Sequence, residues 1–242
     1  MWQSFKDFFG SSVADSSIEK VKDYKKLVLC QSTLIITSLF VFELFQSLPF
    51  PGSTQLFELI FGIIGIYNNY LMYQMLRNFV RDARFLRAIL YMLFFSVLIS
   101  LVIGNPIAPM DVHFLRPLLI VSMFLSFTSF TVILYYMIMD IFGEAHETDY
   151  RLWGASAIFI GIGIMFSFLL MLLELIIPNS LHLPIGLSIS TYIYAFNYSF
   201  YVMSGLEHPY EGISTLVMNL SVIESIISNL YVIILVGRLL SK

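Results

Sequence analysis

The sequence predicts an all-α membrane protein: six transmembrane helices, with a re-entrant helix and loop between the fifth and sixth, and both termini cytoplasmic. Three observations predict it. Of 242 residues, 58% are hydrophobic and 12% charged, and that charged share is about half the share in an ordinary soluble domain. The apolar residues fall in runs near the ~20 residues a helix needs to cross a bilayer. Lysine and arginine collect on one side of the map those runs define.

The spans run over about 27–48, 56–76, 88–104, 117–139, 152–177 and 213–237. In lipid a spanning segment must satisfy its own backbone, so each run reads as a helix. The breaks are Pro49, Pro51 and Gly52, then a basic turn, then Asn105, Pro106 and Pro109, then an acidic turn, then Pro178 and Pro184. The segment 1–26 precedes the first span. Trp2, Phe5, Phe8 and Phe9 stand at near-helical spacing there. It reads either as an amphipathic helix on the cytoplasmic leaflet or as a tail with incidental aromatics. The first run is too long for a signal sequence and has no small-residue cleavage site.

Orientation follows from the 13 basic residues. Lys6, Lys20, Lys22, Lys25 and Lys26 precede the first span. Arg77, Arg81, Arg84 and Arg87 lie between the second and third. Arg151, Arg238 and Lys242 fall on the same side, and only Arg116 is opposite. The positive-inside rule puts that side in the cytoplasm.

The region 178–212 is then external. It has no lysine or arginine, and its formal charges are Glu207 and Glu211. Within it, "LSISTYIYAFNYSFYVMS" (187–204) has helical character but is too short and polar to cross. A helix there dips in and returns, which membranes tolerate where protein or a water-filled cavity surrounds the backbone. The expected element is a pore helix and loop.

The residues from Arg151 to Lys242 resemble the two-helix pore module of bacterial potassium-channel-like proteins. The outer helix ends in an acidic-then-proline turn, Glu174 to Pro178. "NYSF" (Asn197–Phe200) stands where that family's pore helix precedes the filter. The inner-helix positions read Glu224, Ser228, Asn229, Leu230, Tyr231 and Gly237-Arg238-Leu239. The resemblance implies a division into a cytoplasmic segment 1–26, a four-helix peripheral domain 27–141 and a pore domain 151–242. It also implies a homotetramer, because each chain supplies one loop.

The filter departs from the family. Ser204, Gly205, Leu206, Glu207, His208, Pro209 and Tyr210 occupy the positions of Thr-Thr-Val/Leu-Gly-Tyr-Gly-Asp. A potassium filter turns successive carbonyls inward, and its glycines permit that twist. Glu207 and Pro209 replace them, so a potassium-selective carbonyl ladder is not expected. A Glu two residues after a Gly resembles instead the acidic rings of sodium- and calcium-type channels. Four copies of Glu207 about 5 Å apart, at an effective dielectric of ~20, repel by ~3 kcal/mol per pair. Such a ring shares protons or holds a monovalent or divalent cation. Glu211 adds a second ring at the mouth, and His208 would make conduction pH-sensitive. The alternative is a solvated loop on a module that does not conduct alone.

In the last span, Ser221, Glu224, Ser225 and Ser228 share one helix face. They read as a polar stripe lining or gating the pore. Glu224 has a second reading, as a clamp bonded behind the pore helix to a Ser or Tyr of 188–201. A carboxyl group at membrane depth needs one arrangement or the other. Asn68, Asn69 and Glu43 are expected in interhelical hydrogen bonds, and Gly161 and Gly163 in close helix packing. A voltage sensor needs several arginines through one span, and the fourth span has Arg116 alone, so voltage gating is not expected.

Other classes are weaker. Gly154-Ala155-Ser156-Ala157 is similar to the serine motif of intramembrane proteases, but His113, His146, His182 and His208 all lie in turns, away from any buried serine. No zinc-protease pair of histidines is present, so no enzyme activity is expected. Cys30 stands alone, excluding a disulfide within the chain. A net charge of -3 argues against nucleic acid. A transporter would carry inverted repeats with paired broken helices, and none is legible.

The sequence reading is a homotetrameric cation channel with an acidic, non-standard filter, needing no cofactor and set in a bacterial inner membrane. The alternative is a channel-derived partner subunit, anchor or effector. A protein partner would meet the cytoplasmic loop Asp140–Arg151.

Overall fold

The computed structural model describes residues 17–48, 52–103, 112–143, 148–182, 189–206 and 212–240. All regular structure among them is helical. Helix α1 (Ser17–Ile36) passes through a π-helical turn (Thr37–Val41) into α2 (Phe42–Ser47). Then follow α3 (Ser53–Phe79), α4 (Ala83–Ile103), α5 (Val112–Gly143), α6 (Thr148–Ile176), α7 (Ile189–Ser204) and α8 (Thr215–Leu240). Six stretches are long and apolar enough to cross a membrane: Glu19–Ser47, Ser53–Phe79, Ala83–Leu101, Leu115–Phe142, Thr148–Ile176 and Thr215–Gly237. The chain is therefore an integral membrane protein, with α7 too short to span.

The spans extend beyond the apolar runs because their ends are held by polar contacts. Lys20 pairs with Asp140 at 3.5 Å and sits 5.3 Å from the Phe79 ring. Asp140 also accepts a hydrogen bond from Tyr150. Asn78 donates to Asp23 at 3.2 Å, and Lys25 lies over Trp153. These contacts join α1, α3, α5 and α6 at the end that carries the lysine and arginine clusters. Helix α1 runs unbroken through 26–27, the expected start of the first span. Trp2, Phe5, Phe8 and Phe9 lie outside the described residues, as does most of the acidic turn at 144–147.

Helix α6 is the hub, packed against α1, α5, α7 and α8. Its glycines make this possible. An added Cβ on Gly154 would strike Ile141, and one on Gly161 would come 2.7 Å from Leu134. One buried cluster runs from Tyr24 and Leu27 through Phe130 and Ile158 to Ile193 and Tyr231. The expected peripheral and pore regions thus share a core.

The polar residues inside this bundle divide by partner. Asn68 is 2% exposed, and its Oδ1 has no hydrogen-bond partner. That differs from the interhelical bond expected of it. Glu43 differs too, since it lies on an exposed face.

Candidate functional site

The site is the segment from α6 to the start of α8. Helix α6 ends because Pro178 cannot continue it, and the turn beyond is built around Glu174. Its Oε1 accepts from the Asn179 amide at 2.8 Å. Its Oε2 accepts from Ser180 Oγ at 2.9 Å and from the Leu181 amide at 2.7 Å. Asn179 and His182 hold left-handed backbone, with φ of 62° and 49°. The Ser214 amide donates to the Ser180 carbonyl at 2.9 Å, tying the start of α8 to this turn. Arg116 Nε reaches the Leu175 carbonyl at 2.7 Å, so the lone basic residue of the fourth span is part of the same structure.

Helix α7 is seated in the bundle. Ile193, Ala195, Tyr198 and Ser199 are fully buried. On α6, Tyr192 meets Ser167 at 3.0 Å, and Ser199 donates to the Gly163 carbonyl at 2.8 Å. On the π turn, Asn197 donates to the Ser38 carbonyl at 3.2 Å. Aromatic rings fill the rest, including Phe61 on Phe196 and Phe168 on Tyr192. Gly163 permits the closest approach: a Cβ there would lie 2.7 Å from Met203 Sδ and 2.9 Å from Phe200 Cζ.

Helix α8 is held by three polar rungs. Tyr198 Oη and Ser221 Oγ are 2.9 Å apart. Glu224, fully buried, bonds with Ser199. Tyr231 donates to the Ala155 carbonyl at 3.1 Å. The clamp reading of Glu224 is the arrangement found. Of the stripe Ser221, Ser225 and Ser228, the first and last belong to this inner side as well. Ser228 is 1% exposed and bonds the Glu224 carbonyl, while Ser221 bonds the Val217 carbonyl. Ser221 and Ser228 thus sit on the packed side of the helix, while the half-buried Ser225 accepts from Asn229 at 3.3 Å toward the open side. The open side carries Asn219, Val222, Ile226, Asn229 and Ile233.

The serine hydroxyl of Ser199 has one hydrogen and two acceptors, the Gly163 carbonyl and Glu224. An amide at position 224 brings donors of its own. Glu224→Gln is therefore expected to fold with a Tm within about 2 °C of wild type. Glu224→Ala should lower Tm by several degrees, through the void it leaves beside Ser199. Thermal unfolding in mild detergent measures both.

Helix α7 ends in a Schellman motif. The Gly205 amide bonds the Val202 carbonyl, and the Leu206 amide bonds the Tyr201 carbonyl. Gly205 has φ of 70°, which only glycine adopts at little cost. Ser204 is the last helical residue, and its hydroxyl bonds the Tyr201 carbonyl. Ser204, Gly205 and Leu206 thus form the end of α7. Glu207, His208, Pro209, Tyr210 and Glu211 lie outside the described residues. At Gly212, φ is 79° and a Cβ would meet the His182 ring at 2.6 Å. Among the described residues, no group of His, Cys, Asp and Glu could hold a metal ion.

Sequence reasoning missed one buried polar side chain: Gln31 of α1 is fully buried with both amide atoms unpartnered. Its membrane-depth polarity was the available signal. Comparison of the chain with protein-family models, curated proteins and solved structures gives no match.

Proposed function

We propose that the chain is one subunit of a homotetrameric cation channel, with both termini cytoplasmic and ions passing passively through an acidic, non-standard filter. One observation carries this reading: a sixteen-residue helix, too short to cross, is packed between two spanning helices, with Ile193, Ala195, Tyr198 and Ser199 fully buried. Its Ser199 stands beside Glu224, roughly 14 Å along α8 from Thr215 at about 1.5 Å per residue. Helix α7 runs on from there to Ser204. Gly212, ahead of α8, lies against His182 in the turn after α6. These placements support reading α7 as a re-entrant helix.

Two further features support it. Helix α8 packs mainly on α6 and α7, leaving one long side uncovered. Four copies around an axis would bring those sides together in closed symmetry. The segment between α7 and α8 includes Glu207 and Glu211 in its sequence, and residues 178–212 hold no lysine or arginine, so cations would meet no opposing charge there. Arg116 is engaged with a backbone carbonyl, which argues against a voltage-driven fourth helix. No cofactor and no catalytic step enter this reading.

The test is a planar-bilayer recording of the purified protein under opposed potassium, sodium and calcium solutions, with Glu207→Gln alongside. Wild type is expected to pass cation current, and the variant to shift the reversal potential or weaken calcium block. Silence from a protein that is monomeric in mild detergent would sink the proposal and favour the partner-subunit alternative.

A further inference from the structure

A cavity of about 170 Å³ lies among α3, α4, α5, α6 and α7, away from the loop that follows α7. Its wall is mostly apolar, with Phe61, Phe168 and Phe196 around it. One part is polar. Asn68, Ser96, Ser100 and Ser126 line it together, from three different helices. Ser96 and Ser126 are 2.5 Å apart, and Ser100 lies 3.2 Å from Ser122, so these hydroxyls satisfy one another. Asn68 does not join them through its Oδ1. That atom is buried without a partner. The exposed lining residues are Ile66, 38% exposed, and Leu101, 58% exposed. They mark an opening toward the surrounding lipid.

We propose that this cavity binds a small neutral amphiphile, an apolar ring or short chain carrying one hydroxyl. Size, polarity and access each restrict the occupant. A dry cavity of about 150 Å³ accepts benzene, so this one suits a compact body slightly larger. A charged group would meet no opposite charge in the lining and would be costly to bury. A hydroxyl can pair with the Asn68 amide in the lining, whereas a purely apolar molecule cannot. Entry past Ile66 and Leu101 suits a molecule that partitions into lipid. Tyr192 and Phe196 of α7 form part of the wall, so the occupant would touch the buried short helix. The proposal does not depend on conduction.

The cavity can be closed without disturbing its neighbours. An added Cβ on Gly65, which lines the cavity, meets no atom within 4 Å. The experiment is thermal unfolding of the full chain in mild detergent, with benzyl alcohol and toluene at matched free concentrations as probes. Wild type is expected to gain a few degrees with benzyl alcohol and less than half of that with toluene. Gly65→Leu should abolish both gains. Asn68→Leu should make the two probes equal. Equal responses of wild type and Gly65→Leu would show an effect of the micelle alone and overturn the proposal. So would equal responses to the two probes in wild type, which would mark a site for apolar chains only.

Discussion

Gly163→Leu is expected to unseat α7. The first atom of any side chain there would lie within 3 Å of Met203 and Phe200, and leucine adds three more carbons. Met203 is 8% exposed and has little room to withdraw. Moving α7 away to make space would break the Ser199 bond to the carbonyl of residue 163 itself. It would also loosen the Ser199–Glu224 rung, and with it α8. Overpacking of this kind costs about 3 kcal/mol. Thermal unfolding in detergent should show Tm falling by many degrees, with Gly163→Ala between the two. A leucine variant as stable as wild type would mean that α7 is not seated through this contact.

Glu174→Ala is the second large effect. One carboxylate there accepts three hydrogen bonds, and two of the donors are backbone amides that alanine leaves unpaired. Bonds to charged acceptors contribute about 1.5–3 kcal/mol each. The half-exposed position lets water replace part of that, so a net loss of about 3 kcal/mol is expected. The left-handed Asn179 and His182 would lose the group that holds them, and Ser180 would no longer fix the start of α8. Glu174→Gln should lose nearly as much, because its amide nitrogen turns a donor toward donors. The check is Tm together with protease cleavage within 178–182. Unchanged cleavage in Glu174→Ala would show that the proline alone sets the turn.

The six spans were legible because length and apolarity in lipid leave helix as the one workable backbone, and because prolines and charged turns separate them. The side on which each helix packs was not legible. In a chain this apolar, the residues that meet neighbours and those that meet lipid are drawn from the same set. Ser221, Ser225 and Ser228 were visible as a stripe, but only the seat of α7 decides which way it points. Gly205 was visible as a break, and a glycine followed by leucine suits either a helix end or a loop. Glu224 was the easier case, since a carboxyl group at that depth needs a partner and a serine-bearing short helix stood nearby. Gln31 and Asn68 look like ordinary bonding residues until their surroundings are known.

The three rungs on α8 also govern how that helix can travel. Sliding it along its axis by a residue or two parts Ser221 from Tyr198, Glu224 from Ser199 and Tyr231 from Ala155 together. Groups parted there would have no water to turn to. A slide of four residues, about 6 Å, brings Ser225 to the place of Ser221 and Ser228 to the place of Glu224. Hydroxyls again face Tyr198 and Ser199. Leu235 would then stand in the place of Tyr231, and the Ala155 carbonyl would lose its donor, so the three rungs are met together in one register alone, and the helix is pinned where an apolar one would drift.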